Sequence, residues 1–188
     1  MRRQIKPQRF AAFGDQSVVV PPAVILSPHR IRIGDGVLIQ ERAWLSVVEE
    51  WYGQTFEPSF TIGNRTTLGR NNYISCIGQV EIGDDVLTGD DVLIADTYHG
   101  YRDPDVAIRY QPMAPPEPVR IGDGVALYPR AVVLQGVTIG DRSNIAAGAV
   151  VTEDVPPNSL VVGNPGRVVR RYDHEREEWI DTGEAEAR

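Results

Sequence analysis

One cysteine, Cys76, stands in a chain of 188 residues. That excludes an internal disulfide and a cysteine-based zinc site, and makes a reducing compartment the default expectation. Lysine is equally scarce, Lys6 being the only one, so basic charge comes almost wholly from arginine. With 26 acidic residues against 19 Lys and Arg the formal charge is -7 and the pI is near 5.0. Such a balance argues against a general nucleic-acid or membrane-surface binder, which would carry a basic face. No apolar run approaches a membrane span, and the basic start Met1-Arg2-Arg3 is followed by Gly14, Asp15, Pro21 and Pro22 before any signal-length apolar stretch develops. The expectation is a soluble cytosolic protein with one sizeable core.

What the chain does have is a six-residue step. An aliphatic side chain returns at Ile121, Leu127, Val133, Ile139, Ile145 and Val151, and a mostly small or β-branched series follows four residues behind at Val125, Ala131, Val137, Ser143, Ala149 and Val155. A helix wants a period near 3.6 and a lone strand wants 2, whereas six predicts a parallel β-helix of hexapeptides. Three short strands with their corners close one triangular coil, and stacked coils place like side chains in columns.

The period predicts an organisation for the rest. Residues 1–16 show no clear repeat and are expected as an N-terminal arm, and 17–166 as the β-helix. The repeat slips by two between Ile25 and Ile33, lapses from Ser46 to Ser59, slips again at Gly78 to Glu81, and re-phases at Ile82, Thr88 and Ile94. From about His99 to Val119 it is lost in a proline-rich excursion carrying Pro104, Pro112, Pro115, Pro116 and Pro118, expected to be an ordered arm over a site. Residues 167–188 are expected as a short capping helix and tail, covering the last coil's open edge.

The run Ile139-Gly140-Asp141-Arg142-Ser143-Asn144-Ile145-Ala146-Ala147-Gly148-Ala149-Val150-Val151-Thr152-Glu153-Asp154-Val155-Pro156, followed by Gly163-Asn164-Pro165-Gly166-Arg167-Val168-Val169, resembles the terminal signature of the hexapeptide-repeat acyltransferases. Most of residues 17–170 shares the resemblance, which is nearest the branch that O-acetylates sugars and polysaccharides. It implies an all-β, left-handed parallel β-helix, a homotrimer, acetyl-CoA as acyl donor and no metal.

His99 stands where the chain leaves the prism, in Asp96-Thr97-Tyr98-His99-Gly100-Tyr101. Acyl transfer to a hydroxyl needs a base of near-neutral pKa, and an imidazole suits it; in the resembled family a histidine at this position is that base. Relatives often carry Asp-x-His-x-His here, and Thr97 replaces the first histidine. Asp96 is the nearby candidate to hold the His99 tautomer, the alternatives being a backbone carbonyl for that task and a turn-making role for Asp96. Ser75, Cys76 and Tyr101 are the substrate-binding candidates; the alternative for Ser75 and Cys76 is a corner residue and an inert thiol.

The resemblance implies that Ala147, Gly148 and Thr152 line the pantetheine arm, while Arg167 and Arg170 meet the phosphates. Two departures bear on this. Leu127-Tyr128-Pro129-Arg130 stands where relatives often have Trp-Ile-Gly-Ala, and Glu153 where they often have lysine; Arg130 is the candidate to restore positive charge. The same scaffold carries zinc carbonic anhydrases, but His29, His99 and His174 are scattered and supply no evident zinc shell. The activity implied is transfer of an acetyl group to a hydroxyl of a sugar or polysaccharide precursor. N-acetylation of a nucleotide-linked amino sugar and a non-catalytic hexapeptide scaffold stay open as alternatives.

Overall fold

The structure, a computed structural model, describes residues 7–183. The chain winds repeatedly over three faces in fixed order, laying one short strand on each. The first face stacks Ala12–Phe13, Ile31–Ile33, Ser59–Ile62, Gln79–Ile82, Val119–Ile121 and Thr138–Ile139. On the second lie Val18–Val19, Leu38–Ile39, Thr67–Leu68, Leu87–Thr88, Ala126–Leu127, Asn144–Ile145 and Ser159–Val162. The third stacks Val24–Ile25, Trp44–Val47, Tyr73–Cys76, Leu93–Ala95, Val132–Val133 and Val150–Val151. Every pairing between successive coils is parallel, with Ile62 opposite Ile82, Leu68 opposite Ile39 and Ile74 opposite Ile94. This is the left-handed parallel β-helix.

The six-residue step fixes this register because the aliphatic of each hexad points inward. Ile39, Leu45, Leu68, Ile74, Ile94, Ile139 and Ile145 are wholly buried in one continuous core, each contributing roughly 1.5 to 3 kcal/mol against exposure. The Ile-Gly-Asp signature makes the corner between the first and second faces. There Oδ1 of Asp35, Asn64, Asp84, Asp123 and Asp141 accepts the backbone N–H of the equivalent residue one coil earlier, at 2.7, 2.9, 2.7, 2.8 and 3.0 Å. A Cβ on the preceding glycine, as at Gly34, would stand 2.9 Å from the Asn64 backbone nitrogen, so only glycine allows the coils to approach closely enough for that bond.

All the interruptions of the period leave from one corner, between the third and first faces. They are the Pro28–Arg30 turn, an antiparallel hairpin of Glu50–Trp51 with Gln54–Thr55, the short step at Ile77 and Gly78, and the excursion after Asp96. The excursion contains one 3-10 turn, Ile108–Tyr110. It is pinned by Gln111, whose Nε2 donates to the carbonyls of Asp103 (2.7 Å) and Val106 (2.8 Å).

Two expectations are corrected. The arm over residues 1–16 is not an arm throughout: Ala12–Phe13 pairs with Arg32 and Ile33, and Phe10 is buried in the core. Phe13, Val19 and Ile25 already keep the six-residue step, with an aromatic in place of an aliphatic; residues 1–6 lie outside the described chain. The C-terminal helix is instead a β-hairpin, Arg167–Asp173 with Glu178–Asp181, added antiparallel to the second face through Ser159–Val162. The open edge of Ser159–Val162 offers backbone partners, β-branched Val168 and Val169 favour extension, and Asp173 Oδ1 accepts the N–H groups of Glu175 and Arg176 to form the turn.

Candidate active site

His99 is exposed at the root of the excursion. The two limbs of the excursion pair antiparallel there, His99 opposite Met113, with Gly100 N–H donating to Pro112 O (2.9 Å) and Ala114 N–H to Tyr98 O (3.0 Å). Gly100 is required, because a Cβ there would run into the Pro112 carbonyl. The imidazole packs against Trp51 of the Glu50–Thr55 hairpin, ring centroids 5.5 Å apart and planes at 70°. Tyr101 is exposed beside it and stacks on Tyr98 at 5.6 Å.

Asp96 does not hold His99 in this structure. It is wholly buried, and its carboxylate accepts the backbone N–H groups of Ile77 (3.0 Å) and Gly78 (2.7 Å) one coil earlier. Burial pushes its carboxyl above the usual value, opposed by those hydrogen bonds. The physical reason for the correction is that the corner turns so tightly at Ile77 and Gly78 that their amides need an acceptor, and Asp96 is the one beneath them.

Cys76 is likewise wholly buried, its Sγ 3.6 Å from the Ser59 carbonyl, with the thiol pushed strongly upward first by desolvation and then by the Asp96 charge. It presents no surface to an acceptor, which corrects that expectation in favour of the inert thiol. Ser75 alternates with Cys76 on the same strand and points outward, level with Ser46 and Ala95.

The donor candidates divide between two grooves. One, of about 470 Å³, lies between the second face and the C-terminal hairpin and is lined by Tyr128, Asn144, Ala147, Leu160, Arg170 and Trp179. Within it Arg170 Nε is 2.6 Å from Asp181 Oδ1. Gly148 and Arg130 lie at the neighbouring corner between the second and third faces, both with positive φ, joined by the Gly148 N–H to the Pro129 carbonyl. The other groove, at the end of the prism, holds Arg167 and Arg171 together with Glu153 and Asp154. Thr152 is exposed at the corner between the third and first faces, away from Ala147 and Gly148.

His99 leaves the corner between the third and first faces, and in a triangular coil that corner is opposite the second face, where the larger groove runs. One chain therefore does not bring His99 and that groove together. Of the lining residues, Tyr128 stands in the departure Leu127-Tyr128-Pro129-Arg130 and Leu160 beside a buried core position, so the six-residue phase faces both outward, whereas Trp179 reaches the groove only because the terminus is a hairpin. Trp51 had no signal, since the contact depends on how two irregular insertions meet.

Residues 118–153 match the family model described as bacterial transferase hexapeptide (six repeats). A Schizosaccharomyces pombe protein assigned by name to the acetyltransferases is 34% identical over 156 residues, covering 76% of this chain and 73% of that one. Galactoside O-acetyltransferase of Escherichia coli is 36% identical over 117 residues, 59% of this chain and 56% of the enzyme. The chain thus spans little more than half the length of that relative. Among solved structures, a hexapeptide-repeat acetyltransferase of Vibrio cholerae complexed with acetyl-CoA aligns over 88% of this chain and 73% of that chain, at 28% identity and a TM-score of 0.61. With the hexad core, the coil topology and these likenesses together, the chain belongs to the hexapeptide-repeat acetyltransferases.

Proposed function

We propose that the protein moves an acetyl group from acetyl-CoA to a hydroxyl of a sugar or polysaccharide precursor, with His99 as general base. The observation that carries this is the exposed imidazole held at the root of an ordered excursion, on the corner opposite the groove of Tyr128, Ala147, Arg170 and Trp179. Two prisms side by side place one chain's imidazole at another chain's groove, so the active unit is a cyclic homotrimer with three equivalent sites. The groove fits the donor in kind: small Ala147 beside aromatic Tyr128 and Trp179 suits the apolar arm, and Arg170 offers charge for phosphate.

In this reading His99 takes the proton from the acceptor hydroxyl as its oxygen attacks the thioester carbonyl. A backbone N–H stabilises the oxyanion, and collapse to the ester expels the thiolate, which takes the proton back from His99. A proton and an acetyl group have exchanged places, and no other reactant is consumed. The cytosol, where acetyl-CoA is available, is the compartment this chemistry needs; among the described residues no helix is long and apolar enough to cross a membrane.

The test is transfer from labelled acetyl-CoA to a panel of sugars. His99→Ala should lower turnover by about a hundredfold or more while leaving donor affinity, measured by calorimetry, nearly unchanged. Equal turnover in the variant removes His99 from the role.

A further inference from the structure

The hairpin Glu50–Thr55 has no part in the repeat, yet it touches both limbs of the excursion that carries His99. On one limb Trp51 meets the His99 ring itself, centroids 5.5 Å apart and planes at 70°. On the other, Gln54 Oε1 accepts the backbone N–H of Met113 at 2.7 Å, a bond spanning 59 residues of sequence. Met113 is the residue paired with His99 across the two limbs. One hairpin thus sets the strand opposite the histidine through Gln54 and the histidine ring through Trp51.

The placement is not a by-product of core packing. Trp51 is 37% exposed and lies outside the buried core, and the hairpin turn Tyr52-Gly53 has positive φ at both residues, the two-residue geometry whose twist matches that of its strands. At its base Glu49 ties the hairpin to the preceding coil, accepting from Arg30 Nε at 2.8 Å and lying 3.0 Å from His29 Nε2. The Arg30 and Ser27 hydrogen bonds hold the Glu49 carboxyl down to about 2, so it stays charged across the working pH range. A near-perpendicular ring pair is a favoured aromatic geometry, and it restricts rotation of an imidazole that no described side-chain hydrogen bond fixes.

We propose that Trp51 is the positioning residue for His99, holding the imidazole in the orientation from which it takes the acceptor proton, with Gln54 setting the strand that faces it. This rests on the general-base reading above. It assigns the orienting role, expected of Asp96, to an aromatic contact from a different insertion.

The test compares Trp51→Ala, Trp51→Phe and Gln54→Ala in the full chain. Trp51→Ala should lower kcat about tenfold with the KM for acetyl-CoA unchanged, and Trp51→Phe should restore most of it. In the NMR spectrum the imidazole protons of His99, assigned by comparison with His99→Ala, should lose the indole ring-current contribution to their shifts in Trp51→Ala and keep part of it in Trp51→Phe. Gln54→Ala keeps the aromatic contact and should lower kcat less, so it serves where Trp51→Ala folds poorly. An unchanged kcat in Trp51→Ala, a loss that phenylalanine does not restore, or His99 resonances that do not move overturns the assignment. Should His99→Ala retain full turnover, the general-base reading falls, while the resonance shift still decides whether Trp51 holds the ring.

Discussion

The backbone N–H of Gly78 donates to Asp96 Oδ2 at 2.7 Å, across one coil, at the corner from which the excursion departs. The carboxylate closes the tight turn of Ile77 and Gly78, and the returning limb covers it: a Cβ at Gly78 would stand 2.7 Å from Pro116 Cβ. Asp96 thus supports His99 at a distance, by fixing the platform under the excursion.

Asp96→Ala would leave the Ile77 and Gly78 amides without this acceptor, at a cost of about 2 to 4 kcal/mol, measurable by denaturant unfolding. Asp96→Asn tests the charge. Burial raises the folded pKa of Asp96 above its ordinary 3.8, so its contribution to stability is fully present below that value and is lost as pH rises through the folded pKa. The melting-temperature difference between Asp96→Asn and the unsubstituted protein should therefore move in favour of asparagine as pH rises from below 3.8 toward neutrality. A difference independent of pH would show that the carboxyl titrates as it does in the unfolded chain.

Thr88 makes a second prediction, against the direction apolarity suggests. It occupies the inward column with Leu68 and Leu127, where its Oγ1 donates to Asn72 Oδ1 at 2.6 Å and accepts the Gly69 N–H at 2.9 Å. Asn72 Nδ2 in turn donates to the Gly89 carbonyl at 2.8 Å. Thr88→Val restores an aliphatic to the column but removes the donor from a buried acceptor. We expect it to destabilise by about 1 to 3 kcal/mol, and Thr88→Val combined with Asn72→Ala to cost less than the sum of the two single losses, as a double-mutant cycle would reveal.

The same two residues show how far the sequence is legible. The six-residue step places Thr88 inside the prism without any structure, because phase alone decides which side chain faces in. It says nothing of Asn72 as partner, since that pairing depends on which polar residue the next column offers. Phase likewise locates His99 at an exit from the coil, but not Trp51 beside it, because contacts between two aperiodic insertions have no period to betray them. The terminus misled for a related reason. The run from Val168 to Ile180 is rich in charged residues that suit a helix surface, while what decides its form is the unpaired edge of Ser159–Val162, which lies outside the run.

That terminal hairpin carries the last prediction. Trp179 lies opposite Tyr172 in the pairing, with ring centroids 5.7 Å apart, and forms one wall of the groove whose other walls include Tyr128, Ala147 and Leu160. It is 42% exposed, so removing it leaves the prism core intact and costs little stability, whereas a ligand seated in the groove loses an aromatic wall. For Trp179→Ala we expect the dissociation constant for acetyl-CoA to rise roughly three- to tenfold, the scale of one aromatic contact, with the melting temperature nearly unchanged and kcat at saturating donor retained. Calorimetry with acetyl-CoA and with dephosphorylated CoA separates this wall from Arg170. Loss of the Trp179 ring should weaken both ligands alike, while Arg170→Ala should weaken the phosphorylated one more. Unaltered affinity in Trp179→Ala would place the donor elsewhere, with the end groove of Arg167 and Arg171 as the next site to test.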